Sequence, residues 1–171
     1  FDTEKGLTAF GRRVVKTAME KGIVIDVSHG SGKLTDECLD IAESTGKPII
    51  ATHSNSFAVC EHPRNLTDER ARRIAASGGI IGISMAPPHL NESGMADISD
   101  IIAHIGHYLD IGLADNICTG CDFDGVSSLP AGITGIGDIE KLSAAVEKEF
   151  SADTAEKIFF RNAERFLRTM L

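Results

Sequence analysis

The chain has 171 residues, 42% hydrophobic and 25% charged, with 17 Lys and Arg against 25 Asp and Glu and a formal net charge of −8. That length and apolar share suit one globular domain and exclude disorder, and no run approaches the ~18 apolar residues of a membrane-spanning helix. The acidic balance lacks the basic footprint that nucleic acid or an anionic membrane surface calls for, which leaves a small molecule as the expected partner.

Leu7, Phe10, Val14 and Ala18 recur at spacings of three and four and predict an amphipathic helix over 7–21, closed by Gly22. The β-branched run 23–27 reads as a buried parallel strand. Thr35, followed by Asp36 and Glu37, is the expected N-cap of a second helix that ends at Gly46. Pro48 opens a strand over 49–52. After a loop at 53–66, Thr67 caps a third helix with Ala71, Ile74 and Ala75 on its apolar side, and a strand over 80–84 follows Gly78-Gly79. Beyond the break at Pro87-Pro88, Ser99 is the expected cap of a helix carrying Ile101, Ile102, Ile105, Tyr108 and Leu109 as far as Gly112. The fourth strand is 116–121. A loop over 125–137 leads to two closing helices, the last with Ala155, Ile158, Phe159, Ala163, Phe166, Leu167 and Met170 on one face.

Strands beginning near 23, 49, 80 and 117, each followed by a helix, require a parallel sheet with right-handed crossovers. The candidates are a doubly wound sheet and a (β/α)8 barrel, and four βα units amount to half of a barrel. No linker or charge block divides the chain, so it reads as one folding unit. It opens on Phe1 rather than Met, and we expect it to be a piece of a longer protein.

Both architectures gather their active sites at the carboxyl ends of the strands. The first strand ends Asp26-Val-Ser-His29, the second Ala51-Thr-His53, and the fourth Gly120-Cys-Asp122-Phe-Asp124-Gly125. His29 and His53, on neighbouring strands, can point ring nitrogens at one ion and suit zinc. Asp26 is one residue out of phase with His29 and reads as a buried strand Asp bonded to backbone. Asp122 directly ends its strand and is preferred over Asp124 as the carboxylate that accepts a proton or pairs with a substrate ammonium. Arg64, in Cys60-Glu-His-Pro-Arg-Asn65, would suit a substrate carboxylate, with His62 close enough to compete for a role in that loop. His104 and His107 read as structural or solvated positions on a helix, and His89 shows no pattern. Cys118 and Cys121 form a CxxC on a strand rather than at the helix start that thioredoxin-type chemistry needs. All four cysteines read as reduced thiols, with the cytoplasm as the default compartment. Dinucleotide, P-loop and serine-elbow motifs are missing.

Five stretches occur in an order that resembles the membrane (renal) dipeptidase family, peptidase family M19. They are Gly22-Ile-Val-Ile-Asp-Val-Ser-His29, Lys47-Pro-Ile-Ile-Ala-Thr-His-Ser-Asn55, His62-Pro-Arg-Asn-Leu-Thr-Asp68, Gly78-Gly-Ile-Ile-Gly-Ile83 and Cys121-Asp-Phe-Asp-Gly125. The resemblance covers essentially the whole chain and implies that residues 1–171 are the C-terminal half of one (β/α)8 barrel domain of a metal-dependent hydrolase. It implies a zinc-dependent dipeptidase with two zinc ions bridged by a carboxylate. By motif match His29 and His53 would hold one ion, Arg64 would hold the dipeptide's terminal carboxylate, and Asp122 would assist proton transfer beside the scissile bond. Zinc would acidify the attacking water and polarise the carbonyl. The family's His-x-Asp pair, its bridging Glu and a further substrate-contacting His all precede these stretches. The 171 residues alone are therefore expected to bind metal weakly and to hydrolyse nothing measurable. Between His29 and the next strand the chain reads as slightly longer than the family pattern. A homodimer is compatible with the resemblance. Two other readings stand beside it: a non-catalytic half-barrel that binds or assembles with another chain, and a different amidohydrolase reaction such as lactone or phosphoester cleavage. Arg64 favours the dipeptide.

Overall fold

In the computed structural model, which describes residues 4–170, helices and short strands alternate along the chain. Thr8 caps α1 (Ala9–Glu20), its hydroxyl accepting the Gly11 amide at 3.0 Å. The chain then runs through β1 (Ile25–Asp26), α2 (Gly32–Thr45) and β2 (Ile49–Ile50) to α3 (Asp68–Ala76), which Thr67 caps as expected. Next come β3 (Ile81–Ile83), the short α4 (Pro87–Leu90), α5 (Ile98–Asp110) and β4 (Ile117–Thr119). The chain closes with α6 (Ile139–Glu149), α7 (Ala152–Glu156), a π turn over Lys157–Arg161 and α8 (Asn162–Met170).

Several helix ends differ from expectation. Ser31, not Thr35, caps α2: its hydroxyl accepts the Leu34 amide at 3.0 Å and donates to the Lys5 carbonyl, so the helix starts about one turn earlier. Asp97 takes the place of Ser99 because it forms a reciprocal capping box with Asp100, accepting the Ser99 amide at 2.7 Å while its own amide donates to Asp100 at 2.8 Å. The Pro87-Pro88 break is itself the first turn of α4, where proline costs no hydrogen bond. On α1, Phe10 and Val14 are exposed and Met19 is the buried residue. The π turn inserts an extra residue per turn and rotates the closing face, so Ala155, Ile158 and Phe166 are buried while Leu167 is 58% exposed.

The strands pair in parallel, β1 with β2 and β3 with β4, and a bridge between Ala51 and Ile81 joins the two ladders. Strand order therefore follows chain order without the reversal of a doubly wound sheet. One face carries Ile49, Ala51, Ile81, Ile83 and Ile117, all fully buried in a core shared with Leu39, Ile74, Ile101 and Tyr108 of the helices. Each such branched side chain contributes roughly 1.5–3 kcal/mol. The other face presents Ile50, Thr52, Gly82, Cys118 and Gly120 to a cavity of about 420 Å³ beneath Phe166 of α8. A methyl group on Gly82 or Gly120 would meet the Thr52 carbonyl oxygen at 1.9 or 1.8 Å, so this close approach admits no side chain. At the carboxyl ends of the first three strands side chains take over backbone donors: Asp26 accepts the Ser28 and Thr52 amides and Asn55 accepts the Ser84 amide. Among the described residues no helix is long and apolar enough to cross a membrane.

Candidate active site

After the Val27 amide donates to the Ile50 carbonyl at 2.9 Å, the chain leaves the sheet. Asp26 Oδ1 accepts the Ser28 amide at 3.0 Å, the Ser28 hydroxyl at 2.9 Å and the Thr52 amide at 3.0 Å, and Oδ2 accepts the Thr52 hydroxyl at 2.6 Å. One carboxylate thus ends two strands at the same level. Partial desolvation by the surrounding strand ends works to raise the Asp26 carboxyl, but the hydrogen bonds from Thr52 and Ser28 outweigh it and hold the group below its ordinary value. Asp26 is bonded to backbone as expected, yet it is exposed rather than buried.

This junction brings the two histidines together. His29 Nε2 and His53 Nε2 lie 2.9 Å apart, with ring planes inclined at 64°. Arg64 reaches over from the loop after β2. Its Nε donates to the Ser28 carbonyl at 3.0 Å and its Nη2 stands 3.3 Å from His53 Nε2. Asp122 Oδ2 is 3.9 Å from the same nitrogen. The three residues expected from strand-end position, His29, His53 and Asp122, and Arg64 from the loop after β2 therefore form one cluster, whereas Asp124 is exposed in the following turn. Asp122 adopts a positive φ of 62°, a conformation rare for a side-chain-bearing residue. Gly125 makes room for it: a methyl group there would stand 2.3 Å from Asp122 Oδ1.

Burial pushes the His53 imidazole below its ordinary value; Asp122 pulls the other way, and His29 and Arg64 add to the drop. A neutral ring is the form that binds metal. Two imidazole nitrogens on one tetrahedral zinc stand roughly 3.3 Å apart for bonds of ~2.0 Å. The observed pair needs only a small opening, so the donors fit the ion. Among the described residues no group of three or more His, Cys, Asp or Glu side chains could hold a metal.

His62, which sequence places beside Arg64 as a competitor for its loop, and His89, which shows no sequence pattern, shape the wall. The His62 Nδ1 accepts the Arg64 amide at 3.2 Å, and its ring lies against His89 with centroids 4.5 Å apart. His89, Arg64, Asp122, His29 and Pro88 line a cavity of about 230 Å³. Burial pushes His89 down to about 4, with His62 and Arg64 adding to the effect. His104 is a core residue with both nitrogens engaged, and His107 pairs with Asp68 at 2.8 Å. Cys118 and Cys121 are free thiols, and burial pushes Cys118 up to about 11.

A family model described as membrane dipeptidase (peptidase family M19) matches residues 1–170. The chain is 33% identical to an uncharacterized Klebsiella pneumoniae protein from the pqqA 5′ region over 174 residues, 99% of this chain and 63% of that protein. It is 30% identical to dipeptidase tcpJ of Claviceps purpurea (strain 20.1) over 171 residues, 95% of this chain and 38% of that one. A metallo peptidase from Rhodobacter sphaeroides, solved with a phosphinate mimic of the dipeptide L-Ala-D-Ala, superposes with a TM-score of 0.88 at 31% identity, over 98% of this chain and 48% of that one. The dipeptidase AC, a metallo peptidase of family M19, gives a TM-score of 0.87 at 31% identity, over 96% and 49%. The chain spans about half the length of the relatives it matches.

Proposed function

The chain belongs to the membrane dipeptidase family, peptidase family M19, and from that premise we propose that the protein is a zinc-dependent dipeptidase whose site includes His29, His53, Arg64 and Asp122. The observation that carries this reading is the 2.9 Å approach of two imidazole nitrogens with Arg64 and Asp122 beside them. A relative solved with a dipeptide mimic supports the substrate class. Zinc held by His29 and His53 would polarise the peptide carbonyl and acidify a water. Arg64, anchored through Nε on the Ser28 carbonyl, holds the dipeptide's free carboxylate with a planar donor edge. Asp122, pinned by its unusual backbone conformation, takes a proton at Oδ2 or holds the substrate ammonium.

A closed zinc site takes four donors, so two imidazoles need partners. We assign these to the rest of a (β/α)8 barrel of which residues 1–171 form the C-terminal half, a reading that the strand order supports. Residues 1–171 on their own then bind zinc weakly and hydrolyse nothing measurable. The test compares dipeptides with their C-terminal amides, using the zinc-loaded whole protein. Arg64→Ala raises KM about 100-fold for dipeptides and only a few-fold for amides, as loss of a charge-assisted carboxylate clamp requires. Equal losses on both substrates would remove the role of Arg64, and an absence of dipeptide hydrolysis by the wild type would overturn the function.

A further inference from the structure

We propose that Asp26 is a positioning residue that acts through the Thr52 hydroxyl to hold the His53 ring in the tautomer with its proton on Nδ1, leaving the Nε2 lone pair for a metal ion. The argument is one of proton inventory along a chain of contacts whose ends are fixed. At one end Arg64 Nη2, 3.3 Å from His53 Nε2, can only donate, because a guanidinium has no acceptor. His53 Nε2 therefore accepts, and the proton of the neutral ring sits on Nδ1. At the other end the Asp26 carboxylate can only accept, and Thr52 Oγ1 lies 2.6 Å from its Oδ2. A hydroxyl has one proton, which goes to Asp26. Thr52 Oγ1 then offers a lone pair to His53 Nδ1–H at 2.8 Å. Taken from Arg64 and from Asp26, the contacts place the ring proton on Nδ1, and His29 Nε2, 2.9 Å from His53 Nε2, is then the donor of that pair.

The same carboxylate fixes the ring's position as well as its proton. Asp26 Oδ1 takes the Ser28 hydroxyl proton at 2.9 Å, which turns a Ser28 lone pair toward the His53 amide at 3.0 Å. His53 is thus held from its backbone and from its ring by groups that both answer to Asp26. Histidines that bind metal depend on such outer partners for orientation and basicity, and loss of one commonly costs ~10–100-fold in affinity. Thr52 and Ser28 are the intermediaries because β1 and β2 run parallel with Asp26 level with Ile50, which sets the Asp26 carboxylate below the strand end that carries Thr52 and His53.

The inference rests on His53 as a metal ligand only for its consequence; the tautomer can be read without metal. Long-range ¹H–¹⁵N correlation spectra of the metal-free full chain, labelled at histidine nitrogen, report which nitrogen of His53 carries the proton. The Nδ1–H form is expected in the wild type, and a predominantly Nε2–H ring overturns the proposal. Thr52→Val should bring in the Nε2–H form, and Thr52→Ser should restore the wild-type signature. In a competition for Zn²⁺ against a chromogenic chelator, Thr52→Val and Asp26→Asn should weaken binding by ~10–100-fold, with Thr52→Ser close to wild type. Folded Thr52→Val protein with an unchanged tautomer and unchanged zinc affinity overturns the relay. If His53→Ala leaves zinc binding intact while the tautomer is as expected, the ligand reading fails and the positioning of the ring stands.

Discussion

His53 and His104 are the same side chain put to opposite uses. His104 is fully buried in α5; its Nδ1 accepts the Ser56 amide at 3.1 Å, so Nε2 carries the proton that goes to the Leu90 carbonyl at 2.9 Å. Its two nitrogens are spent on backbone, tying the loop after β2 to the end of α4. His53 stands at the strand end with one nitrogen on a hydroxyl and the other aimed at His29, Arg64 and Asp122. What separates a structural from a functional imidazole here is the company of its second nitrogen, since both rings are pushed below their ordinary value by burial.

The sharpest way to break this contrast is to truncate each ring. His104→Ala removes a buried ring and strands the Ser56 amide and the Leu90 carbonyl, and should cost about 4 kcal/mol in chemical denaturation. His53→Ala should cost about 1 kcal/mol. Comparable losses in the two variants would erase the distinction. Next in size is Gly125→Ala. The added methyl must displace the Asp122 carboxylate and should lower kcat about 100-fold, the scale of one positioned proton-transfer group, while the melting temperature stays within about 3 °C, the range of a small local adjustment. Unchanged kcat would mean that the position of Asp122 does not matter.

The smallest effect is on pH. His53, His62, His89 and His104 all sit below the unfolded value of 6.5. Below that value the unfolded chain binds protons that the folded one refuses, so stability is full above about pH 6.5 and falls as pH drops, with His89 continuing to lose down to about 4. The carboxylates with lowered values lose their contribution only below 3.8. Between pH 7 and 6 the change should be slight and downward in the metal-free protein. Stability that rises on acidification through this window, followed by denaturant titration, would contradict the burial of these rings.

How much of this was legible in the sequence follows the range of the interactions. The alternation of strands and helices and the strand-end positions of His29, His53 and Asp122 follow from periodicity, which is local. So does the Thr67 cap. The choice between Ser31 and Thr35 depended on a carbonyl at Lys5, and that between Asp97 and Ser99 on a reciprocal contact with Asp100. The buried stripe of α1 depended on what α2 offers it, so spacing alone selected Phe10 and Val14 instead of Met19. The backbone bonds of Asp26 follow from its place on the strand, but its link to the Thr52 hydroxyl and through it to His53, 26 and 27 positions away, forms only when β1 and β2 pair. The placement of His89 against His62 required α4, which the two prolines concealed.

The most direct measurement is the zinc content of the whole purified protein beside its His29→Ala and His53→Ala variants, read by elemental analysis at matched fold content. Wild type should carry bound zinc and each variant clearly less, because removing one of two imidazoles on an ion forfeits most of its hold. Zinc content identical in all three proteins would contradict the assignment of His29 and His53 as metal ligands.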